Sequence, residues 1–369
     1  MRQLFFTIII IVLFNGIYSC SYAQKEPDLK EKIGQMIMLG FSDTLVSDES
    51  SIVKDIQNYN IGGVIIYEYD AVKKARPRNI TSIHQLKKLT IQLQSYSKTP
   101  LFIGIDEEGG SVSRLKERYG FKPTKSAQNL GEIDNVDSTR FYAERIANSC
   151  KMVGVNLNFA PVVDVNVNPD CPVIGGIKRS FSSDAEKVVK HSSIYIEAHL
   201  KNQVWTSLKH FPGHGSATSD SHLGFTDVSD SWTRMELKPY EILIQNNLCP
   251  MIMTAHVFNK NLDSKYPATL SKRTLSILRD TLDYKGLILS DDMMMRAIAD
   301  HFGLEESIEK AINAGVDMLL FSNNIDVYEK NLSEKLVNTI IKLVNTGKIS
   351  EERINESYDR IMTYKRKAW

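Results

Sequence analysis

Eight times along the chain a short run rich in Ile, Val, Leu, Met and Phe is followed by a longer stretch in which apolar residues return with helical period. The runs cover 35–41, 61–67, 101–106, 155–164, 204–210, 251–256, 287–291 and 318–322, and each predicts a strand buried on both faces. The helical stretches cover 50–57, 83–95, 139–153, 185–201, 233–245, 271–281, 304–314 and 332–346, with one more helix over 351–365 packed outside the repeat. Eight β-then-α units with no low-complexity linker between them predict an α/β fold, a single (β/α)8 TIM barrel filling 24–369 as one domain. An open doubly wound sheet would want a glycine-rich phosphate turn after its first strand. Here Gly40 is followed by Phe41-Ser42-Asp43, so no nucleotide site is indicated.

Charge points to no partner. Lys plus Arg number 45 against 44 for Asp plus Glu, a net charge of +1, so no broad field draws in nucleic acid or an anionic surface. At the N-terminus, Arg2 precedes an apolar run over 4–14, Asn15 and Gly16 break it, and Ser19, Ser21 and Ala23 follow. This predicts a signal peptide over 1–23 and an exported, periplasmic protein, because the run is shorter than the ~20 apolar residues that span a bilayer. A second reading ends a lipoprotein signal before Cys20, in Ile17-Tyr18-Ser19-Cys20, and attaches the protein to a membrane through a lipid anchor at Cys20. Cys150, Cys171 and Cys249 are too scattered for a metal site or a disulfide framework, although one bridge stays open in an exported chain.

A barrel of this kind works at the C-terminal mouth of its strands. The third run ends in Asp106, the fourth in Asp164, the fifth in Lys209 and His210, the sixth in His256 and the seventh in Asp291 and Asp292. A lone polar residue at a strand end is ordinarily just a satisfied hydrogen bond; polar ends on five neighbouring strands point to one rim. After the fifth run comes Lys209-His210-Phe211-Pro212-Gly213-His214-Gly215, then Asp220-Ser221-His222. Pro212, Gly213 and Gly215 forbid a regular helix, so His210 and His214 are not a helical metal pair. Asp220 and His222 meet if the loop turns, and a carboxylate beside an imidazole fixes its tautomer and favours its protonated form. Such a histidine gives a proton and later takes one back. Retaining cleavage of a glycosidic bond needs that group and a carboxylate nucleophile. Asp291 leads for the second role; Asp292, its rival, points to the other side of the strand and suits a helix cap.

These residues resemble glycoside hydrolase family 3, in its β-N-acetylglucosaminidase branch. The likeness extends to Ile105-Asp106-Glu107-Glu108-Gly109-Gly110-Ser111-Val112-Ser113-Arg114, Asn158-Phe159-Ala160-Pro161-Val162-Val163-Asp164, Lys178-Arg179-Ser180-Phe181, Met253-Thr254-Ala255-His256 and Ser290-Asp291-Asp292. The resemblance implies that His222 is the acid/base, Asp220 assists it and Asp291 attacks the anomeric carbon. It also implies that Asp106, Arg114, Arg179, Lys209 and His210 hold a terminal N-acetylglucosamine, and that no metal or cofactor is needed. It leaves His214 and His256 open between rim support and sugar contact. Ser111 stands where the family commonly has Arg. The familiar bacterial members recycle cell wall in the cytoplasm, so an exported relative would meet intact wall, imported fragments, or host and dietary glycans. An imidazole acid/base does not repel phosphate, which keeps phosphorolysis open beside hydrolysis.

Two other readings compete. A metal-dependent barrel hydrolase would use the ligand types present in His210, His214, His222, His256, Asp220 and Asp291, although the tight spacing of a zinc site is missing. A non-catalytic exported sugar-binding protein would need no acid/base loop, and such proteins commonly have two lobes.

Overall fold

The computed structural model describes residues 26–367, so the signal peptide read over 1–23 and the anchor read at Cys20 lie outside the described residues. Eight parallel strands close into a barrel in the order β1 (Ile37–Gly40), β8 (Met318–Phe321), β7 (Leu287–Asp292), β6 (Met251–Thr254), β5 (Trp205–Phe211), β4 (Leu157–Asn158), β3 (Phe102–Ile105) and β2 (Gly63–Ile66), which returns to β1. β1, β2, β3, β6 and β8 are buried at every position, because one face fills the barrel and the other meets the helices. Short polar side chains start several of those helices by taking an otherwise unpartnered amide. Ser82 accepts from Gln85 N before Ile83–Tyr96, Asn135 from Ser138 N before Val136–Met152, and Asp184 from Glu186 N before Ala185–Lys201.

Several boundaries differ from the sequence expectation. The run 155–164 is a strand only over Leu157–Asn158. Pro161 has no N–H to give a ladder, and the chain leaves the sheet there, touching it again through a bridge between Val162 and Lys209. Asp164 is therefore not a strand end but a fully buried loop residue. The stretch 271–281 splits into a short helix, Lys272–Ser276, and a wider π-turn, Ile277–Thr281. Gln35 belongs to a helix, Leu29–Gln35, that the apolar pattern concealed, and Ala127–Ile133 is a second unforeseen helix. Cys150, Cys171 and Cys249 are buried and free, so the bridge left open does not form among the described residues.

The two ends of the barrel are built differently. At the N-terminal end the helix Glu351–Lys367 packs on Leu29–Gln35. It sends Lys365 inward to donate to Gln35 Oε1 at 2.6 Å and Gly62 O at 2.7 Å. Beside it, Asp317 collects Arg279, Arg353 and Arg360 at 2.7, 3.1 and 2.9 Å. At the other end the rim loops enclose a separate small apolar cluster that includes Val162, Cys171, Val173, Ala217, Val228 and Val257. Two parallel two-residue strands, Thr226–Asp227 and Val257–Phe258, tie the loop after β5 to the loop after β6. Among the described residues no helix is long and apolar enough to cross a membrane.

Candidate active site

The mouth holds a cavity of about 470 Å³, and Asp106, Arg114, Arg179, Lys209, His210, Asp220, His222 and Asp291 all line it. The structure thus brings together every residue given a catalytic or sugar-holding role in the sequence, from strands and loops up to 185 positions apart (291 minus 106), while Asp164, His214 and His256 lie outside the cavity lining.

One wall is a network of buried ions. Lys209 Nζ lies 2.7 Å from Asp106 Oδ1 and 2.7 Å from Glu108 Oε1. Arg179 grips Glu108 through Nε at 2.8 Å and Nη2 at 2.7 Å, and its Nη1 donates to Val173 O at 2.8 Å. Arg114 stands 3.5 Å from Asp106 Oδ2. Burial raises the Asp106 and Glu108 carboxyls, but the Lys209, Arg114 and Arg179 cations overcome it: Asp106 ends below its usual range and Glu108 at about 2. Both carboxylates are ionised near neutral pH. Lys209 has three donors and spends two here, which leaves one for a ligand; the outer oxygen of Asp106 meets only the long Arg114 contact and keeps a lone pair for a second donor.

His210 is committed to this wall. Its Nδ1 lies 2.7 Å from Asp164 Oδ2 and its Nε2 3.2 Å from Arg179 Nη2. Since the guanidinium only donates, Nε2 accepts and Nδ1 carries the proton to Asp164. Asp164 also receives the His210 amide at 3.2 Å and the His214 amide at 2.8 Å. A β-bulge between Leu208 and Phe211 lets both Lys209 and His210 reach the cavity where strict alternation would separate them.

The facing wall carries Asp291 and the loop histidine. Asp291, half-buried at the end of β7, accepts its neighbour's amide, Asp292 N, on Oδ1 at 2.7 Å. Burial raises its carboxyl, yet the His256, His210 and His222 imidazoles and that amide hold it below its usual range. Asp292 takes the amides of Met294 and Ser322 at 3.1 and 3.0 Å, and burial lifts it to about 6. Asp292 is thus a structural acceptor and not the helix cap expected, since Met295 precedes the helix Arg296–Ala299, and it lines the cavity beside Asp291 instead of pointing away from it. His222 Nδ1 lies 2.7 Å from Asp220 Oδ1, which also accepts the His222 amide at 2.8 Å. The Asp220 hydrogen bond outweighs burial and raises the imidazole above its ordinary range. Nε2 is left as the nitrogen available for proton transfer.

His214 and His256 serve as supports. His214 is buried, with Nε2 3.1 Å from Ser221 Oγ, and burial lowers it to about 4. His256 is buried between Thr269 Oγ1 at 2.8 Å and the Asp292 carbonyl at 3.0 Å. With these nitrogens engaged, the histidines do not converge as a zinc-ligand set; no group of three or more His, Cys, Asp or Glu side chains able to hold a metal occurs among the described residues.

Sequence reasoning did not single out Glu108 as a site residue, although it joins Lys209 to Arg179. The signal lay in Asp106-Glu107-Glu108, three successive acids after an apolar strand, because buried carboxylates need cations. Glu107 takes the other solution: its Oε2 accepts the Arg114 and Leu115 amides at 2.8 Å each and shapes the turn that presents Arg114.

Known proteins share this arrangement of chain. Residues 28–364 match the glycosyl hydrolase family 3 N terminal domain. Over 335 residues the chain is 32% identical to β-hexosaminidase A of Pseudoalteromonas piscicida, covering 85% of this chain and 54% of that protein. Over 345 residues it is 30% identical to β-hexosaminidase LpqI of Mycobacterium tuberculosis, covering 91% and 82%. A glycoside hydrolase family 3 β-N-acetylglucosaminidase from Paenibacillus sp. superposes with a TM-score of 0.84 at 32% identity, covering 93% of this chain and 63% of that one. The chain therefore spans little more than half of the Pseudoalteromonas protein and most of LpqI. With a family match over nearly the whole barrel, the chain belongs to glycosyl hydrolase family 3.

Proposed function

We propose that this protein is a retaining β-N-acetylhexosaminidase that removes terminal β-linked N-acetylglucosamine from cell-wall fragments or related glycans. The observation that carries the proposal is that an ionised Asp291 and an Asp220-held His222 line the same cavity. The hexosaminidase names of the relatives support the choice of sugar.

Asp106, Lys209 and Arg114 offer one acceptor and several donors to the hydroxyls of the terminal sugar, while Arg179, backed by His210 and Glu108, keeps one further N–H for it. In the first step an Asp291 oxygen bonds to the anomeric carbon, the bond to the leaving oxygen breaks, and His222 transfers its Nε2 proton to that oxygen. In the second, His222 Nε2 takes a proton from water, whose oxygen displaces Asp291 and regenerates the carboxylate with net retention. Export through the 1–23 segment, with or without a lipid at Cys20, belongs to the same proposal and would bring the enzyme to wall fragments outside the cytoplasm.

The test compares nitrophenol release from the β-N-acetylglucosaminide and the β-glucoside and follows the released sugar's anomeric configuration by proton NMR. Preference for the acetamido sugar with β product first is the expected result; glucoside preference or α product would overturn it. Added phosphate distinguishes the acceptor, since a phosphorylase would yield the sugar 1-phosphate where a hydrolase yields free sugar.

A further inference from the structure

Beneath the loop that carries His222 lies a buried carboxyl that the reaction above does not use. Glu236, in the turn Arg234–Leu237, has no exposed surface. Its Oε2 accepts the Gly215 amide at 3.0 Å. Gly213, at φ +128°, runs so close that a Cβ there would fall 2.6 Å from Glu236 Cβ, so turn and carboxyl are fitted to each other. Glu236 Oε1 makes no well-aligned hydrogen bond among the described residues, although the Ser216 hydroxyl lies beside the carboxyl. Burial, opposed by the Ser216 hydroxyl and the Gly215 amide and helped by the Asp164 charge, pushes the carboxyl up to about 7; Tyr240 also lies close enough to feel it.

An apolar side chain could fill this space without stranding a polar oxygen, a burial that costs free energy. What the carboxyl adds is the acceptor for Gly215. One residue earlier, His214 hydrogen-bonds Ser221, which sits between Asp220 and His222. The loop is thus fastened at its root by Glu236 and near its tip by His214.

We infer that Glu236 is a positioning residue: by fixing the turn 213–216 it seats His214 against Ser221 and so sets where the Asp220–His222 pair stands relative to the leaving oxygen. The inference rests on the reading of His222 as acid/base. A merely structural role would slow all substrates alike. A role through His222 slows those whose leaving group needs a proton and spares those whose leaving group departs as an anion.

The experiment measures kcat/KM for Glu236→Ala, Glu236→Gln and Ser221→Ala on a dinitrophenyl glycoside and an alkyl glycoside of the preferred sugar. Glu236→Ala should lose on the order of tenfold or more on the alkyl glycoside and less than about threefold on the dinitrophenyl one. Glu236→Gln, which keeps an acceptor for Gly215, should recover most of that loss. Ser221→Ala, which disturbs only the far tether, should show the same pattern more weakly and keeps the question decidable if Glu236→Ala does not fold. Equal losses on both substrates, in Glu236→Ala or in Ser221→Ala, overturn the inference. His222→Ala separates the two levels: leaving-group dependence there but not in Glu236→Ala sinks the inference alone, and its absence in both sinks the acid/base assignment as well.

Discussion

Each end of the barrel buries a cluster of opposite charges, and the clusters differ in how much hydrogen-bonding capacity they leave over. At the N-terminal end, Asp317 is saturated by Arg279, Arg353, Arg360, the Ser357 hydroxyl and the Ile288 amide. None of these residues lines the mouth cavity. At the mouth, Lys209 and Arg179 are just as deeply committed to Glu108, yet a Lys209 donor, an Arg179 N–H and an Asp106 oxygen remain along the cavity. Buried ions alone therefore do not mark a site; unspent donors and acceptors aimed at a cavity do. Within the mouth a second contrast holds. The Lys209 side chain is 2% exposed and tied across strands, whereas that of His222 is 59% exposed and tied only to its loop neighbour. Binding charges gain from rigidity, while a proton carrier must meet both a leaving group and water.

The contrast can be broken at either end. Asp291→Ala should produce the largest effect, a loss of at least ~10³-fold in kcat with the melting temperature unchanged or raised, because a nucleophile is lost and no buried pair is broken. Urea unfolding of Asp317→Ala should show a loss of about 3–5 kcal/mol, since three partly buried guanidinium groups lose their common, fully buried partner. The kcat/KM of its folded fraction should match wild type; a matching fall in activity would mean that the two ends are not independent. Lys209→Met should lower kcat/KM by ~10- to 10²-fold, the value of a charge-assisted hydrogen bond to the sugar of about 1.5–3 kcal/mol.

The smallest effect sharpens the contrast inside the mouth. Asp220 holds the His222 imidazole above its ordinary range, so the protonated acid survives to higher pH in wild type. In Asp220→Asn that support is gone, and the alkaline limb of kcat/KM should move to lower pH while the acidic limb, set by Asp291, stays in place. A pH–rate profile with an unmoved alkaline limb would show that another group supplies the proton.

Most of the barrel was legible because a strand covered on both faces must be apolar and a helix covered on one must repeat near 3.6, and those constraints act residue by residue. They misjudged 155–164, where Val162 and Val163 are buried in a loop, not in a ladder. Burial rewards apolar side chains whatever their backbone does, so pattern alone cannot separate the two. Leu29–Gln35 was missed for a related reason: its last turn runs into the apolar residues of β1 with no break in the pattern.

By itself the sequence determined the eightfold repeat, the mouth as the place of chemistry, and the residue types that could bind a sugar and move a proton, since each is local in the chain. Only the tertiary structure decided who partners whom. Glu108 became the link between Lys209 and Arg179, Asp164 the anchor of His210 and His214, and Glu236 the foot of the acid/base loop. Each of those choices depends on which buried charge or amide lies within about 3 Å, a distance set by barrel closure between residues far apart in the chain and left unmarked in any linear motif.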